Sequence, residues 1–124
     1  MSRINQVITY LTADTQNSAY LFLPRQAPDR SIFSASLEIE VPNAGPVYAS
    51  ASFAPLSGGQ AGAVYDTVEY VAQTPDNVEK NFFKGLKRVG VIRKDIVVLD
   101  GGAVKVFLMP AGSGCVVVKK EIVQ

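Results

Sequence analysis

Ser31-Ile32-Phe33-Ser34-Ala35-Ser36-Leu37-Glu38-Ile39-Glu40-Val41 is the stretch that decides the fold of this 124-residue chain. Phe33, Ala35, Leu37, Ile39 and Val41 fall at every second position, with Ser34, Ser36, Glu38 and Glu40 between them. Side chains alternate across a strand, so this spacing gives one buried and one wet face. Pro42-Asn43-Ala44-Gly45-Pro46 follows as a turn, and Val47 to Ala54 alternates again. Val47, Ala49, Ala51 and Phe53 share one face there, with Tyr48, Ser50 and Ser52 on the other. The two runs predict an antiparallel hairpin.

Upstream, Ile4 to Ala13 is rich in β-branched and aromatic residues and reads as a strand. Asp14 to Ser18 is a polar turn cluster, and Ala19 to Leu23 reads as a short buried strand stopped by Pro24. Pro28-Asp29 continues that loop. Downstream, Pro55 to Gly62 reads as a flexible loop, and residues 63–73 fit a strand better than a helix.

One helix is expected, over residues 75–89. Thr74 is placed to cap it, Pro75 suits its first position, and Asp76 and Glu79 complement the dipole of its first turn. Val78, Phe82, Phe83, Leu86 and Val89 form the apolar stripe, with Gly85 inside the span and Gly90 as the stop. Beyond it, Ile96 to Leu99, the turn Asp100-Gly101-Gly102, and Ala103 to Met109 predict a second hairpin. After the turn Pro110 to Gly114, Cys115 to Ile122 supplies a last strand. The expected fold class is therefore α+β, a single domain over residues 1–124. An antiparallel sheet of about six to eight strands carries one amphipathic helix packed on it. The expected core holds Phe33, Leu37, Ile39, Phe53, Val78, Phe82, Leu86, Val97, Leu99, Val106 and Leu108.

Composition bounds the function. Hydrophobic residues make up 48% of the chain, which excludes general disorder. Charged residues make up only 19%, a low value for a small protein with much surface to solvate. Either part of the surface is covered by a partner, since contact cores are poor in charge, or a Ser/Thr-rich surface replaces charge. The single cysteine excludes an internal disulfide. Residues 1–6 lack the pattern of a signal peptide, and no run of about 18 apolar residues is present. A cytoplasmic location, or incorporation into a particle, is expected, with no membrane partner.

The chemistry available within one chain is narrow. Histidine is absent, which removes the commonest general base and metal ligand and with them Ser-His-Asp and Cys-His catalysis. One cysteine cannot build a four-cysteine zinc site. Cys115 sits in the run Cys115-Val116-Val117-Val118 and reads as an inert core thiol. Gly58-Gly59-Gln60-Ala61-Gly62 is followed by Ala63-Val64, not by the Gly-Lys-Ser/Thr of a phosphate loop. Asp66 with Glu69, and Asp95 with Asp100, read as solvated surface charge. No catalytic residue, no cofactor and no metal is expected, and the chain reads as a non-enzyme.

The positive signal is charge distribution. Residues 31–79 hold six acids and no Lys or Arg, and residues 80–94 hold Lys80, Lys84, Lys87, Arg88, Arg93 and Lys94 and no acid. On the expected helix the first four share the face away from the apolar stripe. That patch suits the phosphates of a nucleic acid, or the acidic surface of another copy of the chain; it is equally read as a plain solvated face. A contact between unlike patches of successive copies builds rings, shells or filaments. Small viral coat proteins share the size, the Ala/Ser/Val-rich strands and the low charge. RNA-phage coats, however, carry their helices at the C-terminal end, where this chain has strands, so a coat or virion role rests on composition alone. The expected function is a self-associating structural subunit. The alternatives are a small nucleic-acid-binding or regulatory protein using residues 80–94, and a small-ligand module using the loop Pro55 to Gly62.

Overall fold

A computed structural model describes residues 3–12, 16–22, 31–42, 44–56, 58–59 and 61–123. In chain order these form α1 (Arg3–Thr12), β1 (Gln16–Phe22), β2 (Phe33–Val41), β3 (Gly45–Pro55) and β4 (Ala61–Val71). They continue with α2 (Pro75–Phe82), β5 (Lys87–Val91), β6 (Val97–Gly101), β7 (Val104–Ala111) and β8 (Gly114–Val123). The strands follow the order β1-β2-β3-β4-β8-β7-β6-β5 in an antiparallel sheet. Strand makes up 63% of the structure and both helices are short, so the expected α+β class with one packed helix is corrected to a sheet-dominated fold. The chain divides into two compact units, Met1–Asp66 with Ile122–Gln124, and Thr67–Glu121.

In the first unit, the β2–β3 hairpin carries the core. Ala35, Leu37 and Ile39 are buried opposite Ala51, Ala49 and Val47, and Phe33 pairs with Phe53. Those two rings stack with centroids 4.9 Å apart at 24°. The Ala residues leave room for α1 on this face. Residues 4–13 read as a strand from their β-branched content, but residues 3–12 are helical. Val7 and Leu11, four apart, lie on one helix face and join the buried cluster, while Gln6, Thr9 and Tyr10 are exposed. Burial of that face outweighs the intrinsic preference of the residues. The Thr12 hydroxyl donates to the Ile8 carbonyl at 2.8 Å, the i−4 back-bond by which a helical threonine satisfies its hydroxyl.

In the second unit, Val97, Leu99, Val106, Leu108, Cys115 and Val117 are buried on one face of β6, β7 and β8. Val78 of α2 packs into this cluster, fully buried. The Thr74 hydroxyl caps α2 by accepting from the Asn77 N–H at 3.3 Å, and Pro75 opens the helix, as the sequence predicts. The helix ends at Phe82, however, not at residue 89. Phe83 leaves helical geometry, and its N–H donates to the Glu79 carbonyl at 3.2 Å. A tight turn follows, with the Leu86 N–H on the Phe83 carbonyl at 3.1 Å. That turn brings Phe83 and Leu86 against the core. Phe82, expected in the core, is instead 58% exposed. Gly85 lies in the turn, and Gly90 is not a helix stop but part of strand β5.

Both C-terminal hairpins close through two-residue connections. Gly101 pairs with Val104 and Ala111 with Gly114. Gly102 (φ 89°) and Gly112 (φ 56°) supply the positive φ that such turns require. The Asp100 carboxylate fixes the first by accepting from the Gly102 N–H and from Lys105 Nζ, each at 2.8 Å. These bonds, the one from Lys105 foremost, hold the Asp100 carboxyl below its ordinary pKa. The expected loop Pro55 to Gly62 is shorter, because β3 runs through Pro55 and β4 starts at Ala61. Residues 63–73 resolve as strand up to Val71. The expected turn at Pro24 and Pro28-Asp29 lies outside the described residues.

Candidate functional site

The two terminal strands of the sheet contrast. β5 (Lys87–Val91) is exposed throughout, but it carries Lys87 and Arg88 and a register shift between Arg88 and Gly90. Charge and a bulge are the usual devices that keep an edge strand from pairing with another chain. β1 (Gln16–Phe22) is also exposed at all seven positions and pairs with β2 in unbroken register. Its sequence, Gln16-Asn17-Ser18-Ala19-Tyr20-Leu21-Phe22, holds no charged residue and no proline. Tyr20, Leu21 and Phe22 are 68%, 54% and 55% exposed. The sequence predicts Ala19 to Leu23 as a buried strand; the strand is present over its described part, and its burial is not.

β1 presents two surfaces. Tyr20 and Phe22 lie on the face of Ser36 and Ser34, their partners in β2, and their rings meet edge to face at 5.1 Å. The rest of that face is polar and acidic. Glu38 and Glu40 of β2 lie opposite Ser18 and Gln16. Ser36 hydrogen-bonds Tyr48 at 2.9 Å, and Ser50 donates to Asp66 at 2.6 Å. Leu21 lies on the other face, in line with buried Ala35, yet it is left open.

The basic segment is split among elements. Only Lys80 stands on α2; Lys84 lies in the following turn, Lys87 and Arg88 in β5, and Arg93 and Lys94 in the β5–β6 turn. The single helical face expected for the first four is therefore corrected. Arg88 is committed within the molecule. Its Nε donates to Glu79 Oε1 at 3.1 Å, and its Nη2 reaches the Glu79 and Asp76 carboxylates, the latter at 3.3 Å. The Glu79 carboxylate, with Asp76 assisting, raises the guanidinium pKa further. Lys80, Lys84, Arg93 and Lys94 make no ion pair among the described residues. Lys80, Phe83, Lys84, Leu86 and Arg88, with Asp76 and Glu79, line an open depression of about 470 Å³.

Cys115 is fully buried, and burial pushes its thiol up from the ordinary range. The thiolate is the reactive form, so the fold suppresses nucleophilic chemistry there. The sign for stability follows. Above about pH 8.5 the unfolded thiol releases its proton while the folded one keeps it. The contribution is complete below that pH and is lost as pH rises through the folded pKa. Urea midpoints of the native chain are expected to fall between pH 8 and 10 more steeply than those of Cys115→Ala; parallel declines would contradict this.

Among the described residues, no cluster of three or more His, Cys, Asp or Glu side chains is gathered, and no helix is long and apolar enough to cross a membrane. Comparison with protein families, with curated proteins and with solved structures found no match to this chain.

Proposed function

We propose that this chain is a non-enzymatic structural subunit that associates with copies of itself through β1. The observation that carries the reading is an edge strand that holds neither charge nor proline over residues 16–22. Every residue of β1 is exposed, none is charged, and its C-terminal half is apolar and aromatic. An edge of this kind is a template for another strand. Tyrosine and phenylalanine are also the residues that concentrate in the centres of contacts between proteins. Because β5 is guarded by cations and a bulge, the contact is β1 to β1, antiparallel about a two-fold axis. It joins two sheets edge to edge and covers Tyr20, Leu21 and Phe22. The low charge of the chain fits a surface partly covered in this way. Coat-like assembly would use this pair as its building block.

The test is a double substitution, Tyr20→Lys with Phe22→Lys, followed by sedimentation velocity. Both side chains are exposed, so folding is expected to survive, with a loss of about 1 kcal/mol from the edge-to-face pair the two rings make. Lysines on an edge strand oppose pairing. The native chain is expected to sediment as an oligomer and the variant as a monomer with the same circular dichroism. An unchanged oligomer in the variant would remove β1 from the contact.

A further inference from the structure

We propose that the depression formed by α2, the turn after it and β5 binds a small organic acid, with its carboxylate on Lys80 and Lys84 and its apolar body on Phe83 and Leu86. This goes beyond self-association and uses no residue of β1. The groups form one surface. Asp76, Glu79, Lys80 and Phe83 are spaced i, i+3, i+4 and i+7, which places them along one side of α2 up to the residue where it ends. The turn adds Lys84 and Leu86, and β5 returns Arg88 to the same place. All seven line the one depression of about 470 Å³, a volume that suits a small molecule.

The charges select the ligand. Both carboxylates of the lining, Asp76 and Glu79, are tied to Arg88. Lys80 and Lys84 are exposed and make no ion pair among the described residues. Three cations against two carboxylates leave the lining one positive charge in excess, which a single carboxylate neutralises. Ammonium groups hold a carboxylate through charge-assisted hydrogen bonds. Phe83 and Leu86 give the ligand its second requirement. Both pack partly against the buried cluster, so they are held in place, and both keep some surface open to the depression. Lys119 Nζ stands 5.7 Å from the Phe83 ring centroid and helps to hold that ring. A bare anion would leave the apolar wall uncovered, and a neutral apolar molecule would leave the lysines unmatched. The depression is open, so affinity is modest, with a Kd of roughly 0.2–1 mM for a ligand of about 13 non-hydrogen atoms.

The experiment is saturation-transfer NMR of 2-naphthoate against the full chain at low salt. Saturable binding is expected, with 2-naphthamide, the same body without the charge, about tenfold weaker and acetate silent. Lys80→Gln with Lys84→Gln is expected to weaken naphthoate about tenfold, to the level of the amide, and to leave the amide unchanged. Both lysines are exposed, so the fold is expected to survive, and unchanged amide binding reports that it has. The variant Tyr20→Lys with Phe22→Lys is expected to bind naphthoate normally, which separates this site from the β1 contact. Absence of saturable binding at millimolar naphthoate would overturn the proposal. So would equal affinity for the amide, an unchanged naphthoate affinity in the double lysine variant, or tighter binding of a naphthylmethylammonium cation, which would assign the depression to Asp76 and Glu79.

Discussion

Gly114→Ala is expected to destabilise the chain by roughly 3 kcal/mol or more, an overpacking cost at the upper end of its kind. A Cβ built on Gly114 would overlap the Tyr70 ring and stand 2.6 Å from the Val71 carbonyl oxygen. The Tyr70 ring is 53% exposed and can swing outward, but the Val71 carbonyl belongs to the backbone of β4. Trimming the ring with Tyr70→Ala therefore restores only part of the loss. Gly85→Ala is the control, because a Cβ there meets nothing within 4 Å. Urea unfolding followed by circular dichroism separates the cases. A Gly114→Ala midpoint equal to that of Gly85→Ala would contradict the close approach of β4 and β8.

Phe53→Ala carries the second large effect, about 3–5 kcal/mol. Phe53 is 2% exposed and stacks on Phe33 across the β2–β3 pair. The side chains buried in the hairpin with it include Ala35, Ala49 and Ala51, too small to collapse into the space it would vacate. The loss therefore combines transfer of the ring with a persistent cavity. A lower urea midpoint with an unchanged m-value is the expected result. A shift below about 1 kcal/mol, smaller than an ordinary core truncation, would mean that the ring is not in the core.

Features set by short-range spacing were legible in the sequence. The alternation of Phe33 to Val41 and the Thr74-Pro75 start of α2 each carry their own geometry, and the structure contains both; the hairpin expected at Asp100-Gly101-Gly102 is present, but β6 runs through Gly101 and the turn is Gly102-Ala103. Features set by competition between distant groups were not. α1 reads as a strand from its β-branched residues, because the face that buries Val7 and Leu11 is made by β2, β3 and β4. α2 stops early because Phe83 and Leu86 fill the core from a turn, and their spacing in sequence also fits a helical stripe. β5 is hidden because the guarded edge of a sheet, Lys87-Arg88-Val89-Gly90-Val91, has no alternating pattern.

The candidate sites divide along the same line. The six cations are visible in the sequence, but their distribution over a helix, two turns and a strand, and the capture of Arg88 by Glu79, depend on the fold. Exposure of Phe82 was missed for the reason that shortened α2. The run from Ala19 to Leu23 reads as buried because it is apolar. Strand order decides whether such a run is central or at an edge, and strand order is not a local property. The missing charge in residues 16–22 was the available signal.

The most direct measurement of self-association is light scattering on a size-exclusion column, with the unaltered chain at low and high salt. Pairing through an uncharged edge predicts a mass that is a multiple of 13.3 kDa and does not dissociate at high salt. A 13.3 kDa monomer at both salts would contradict it.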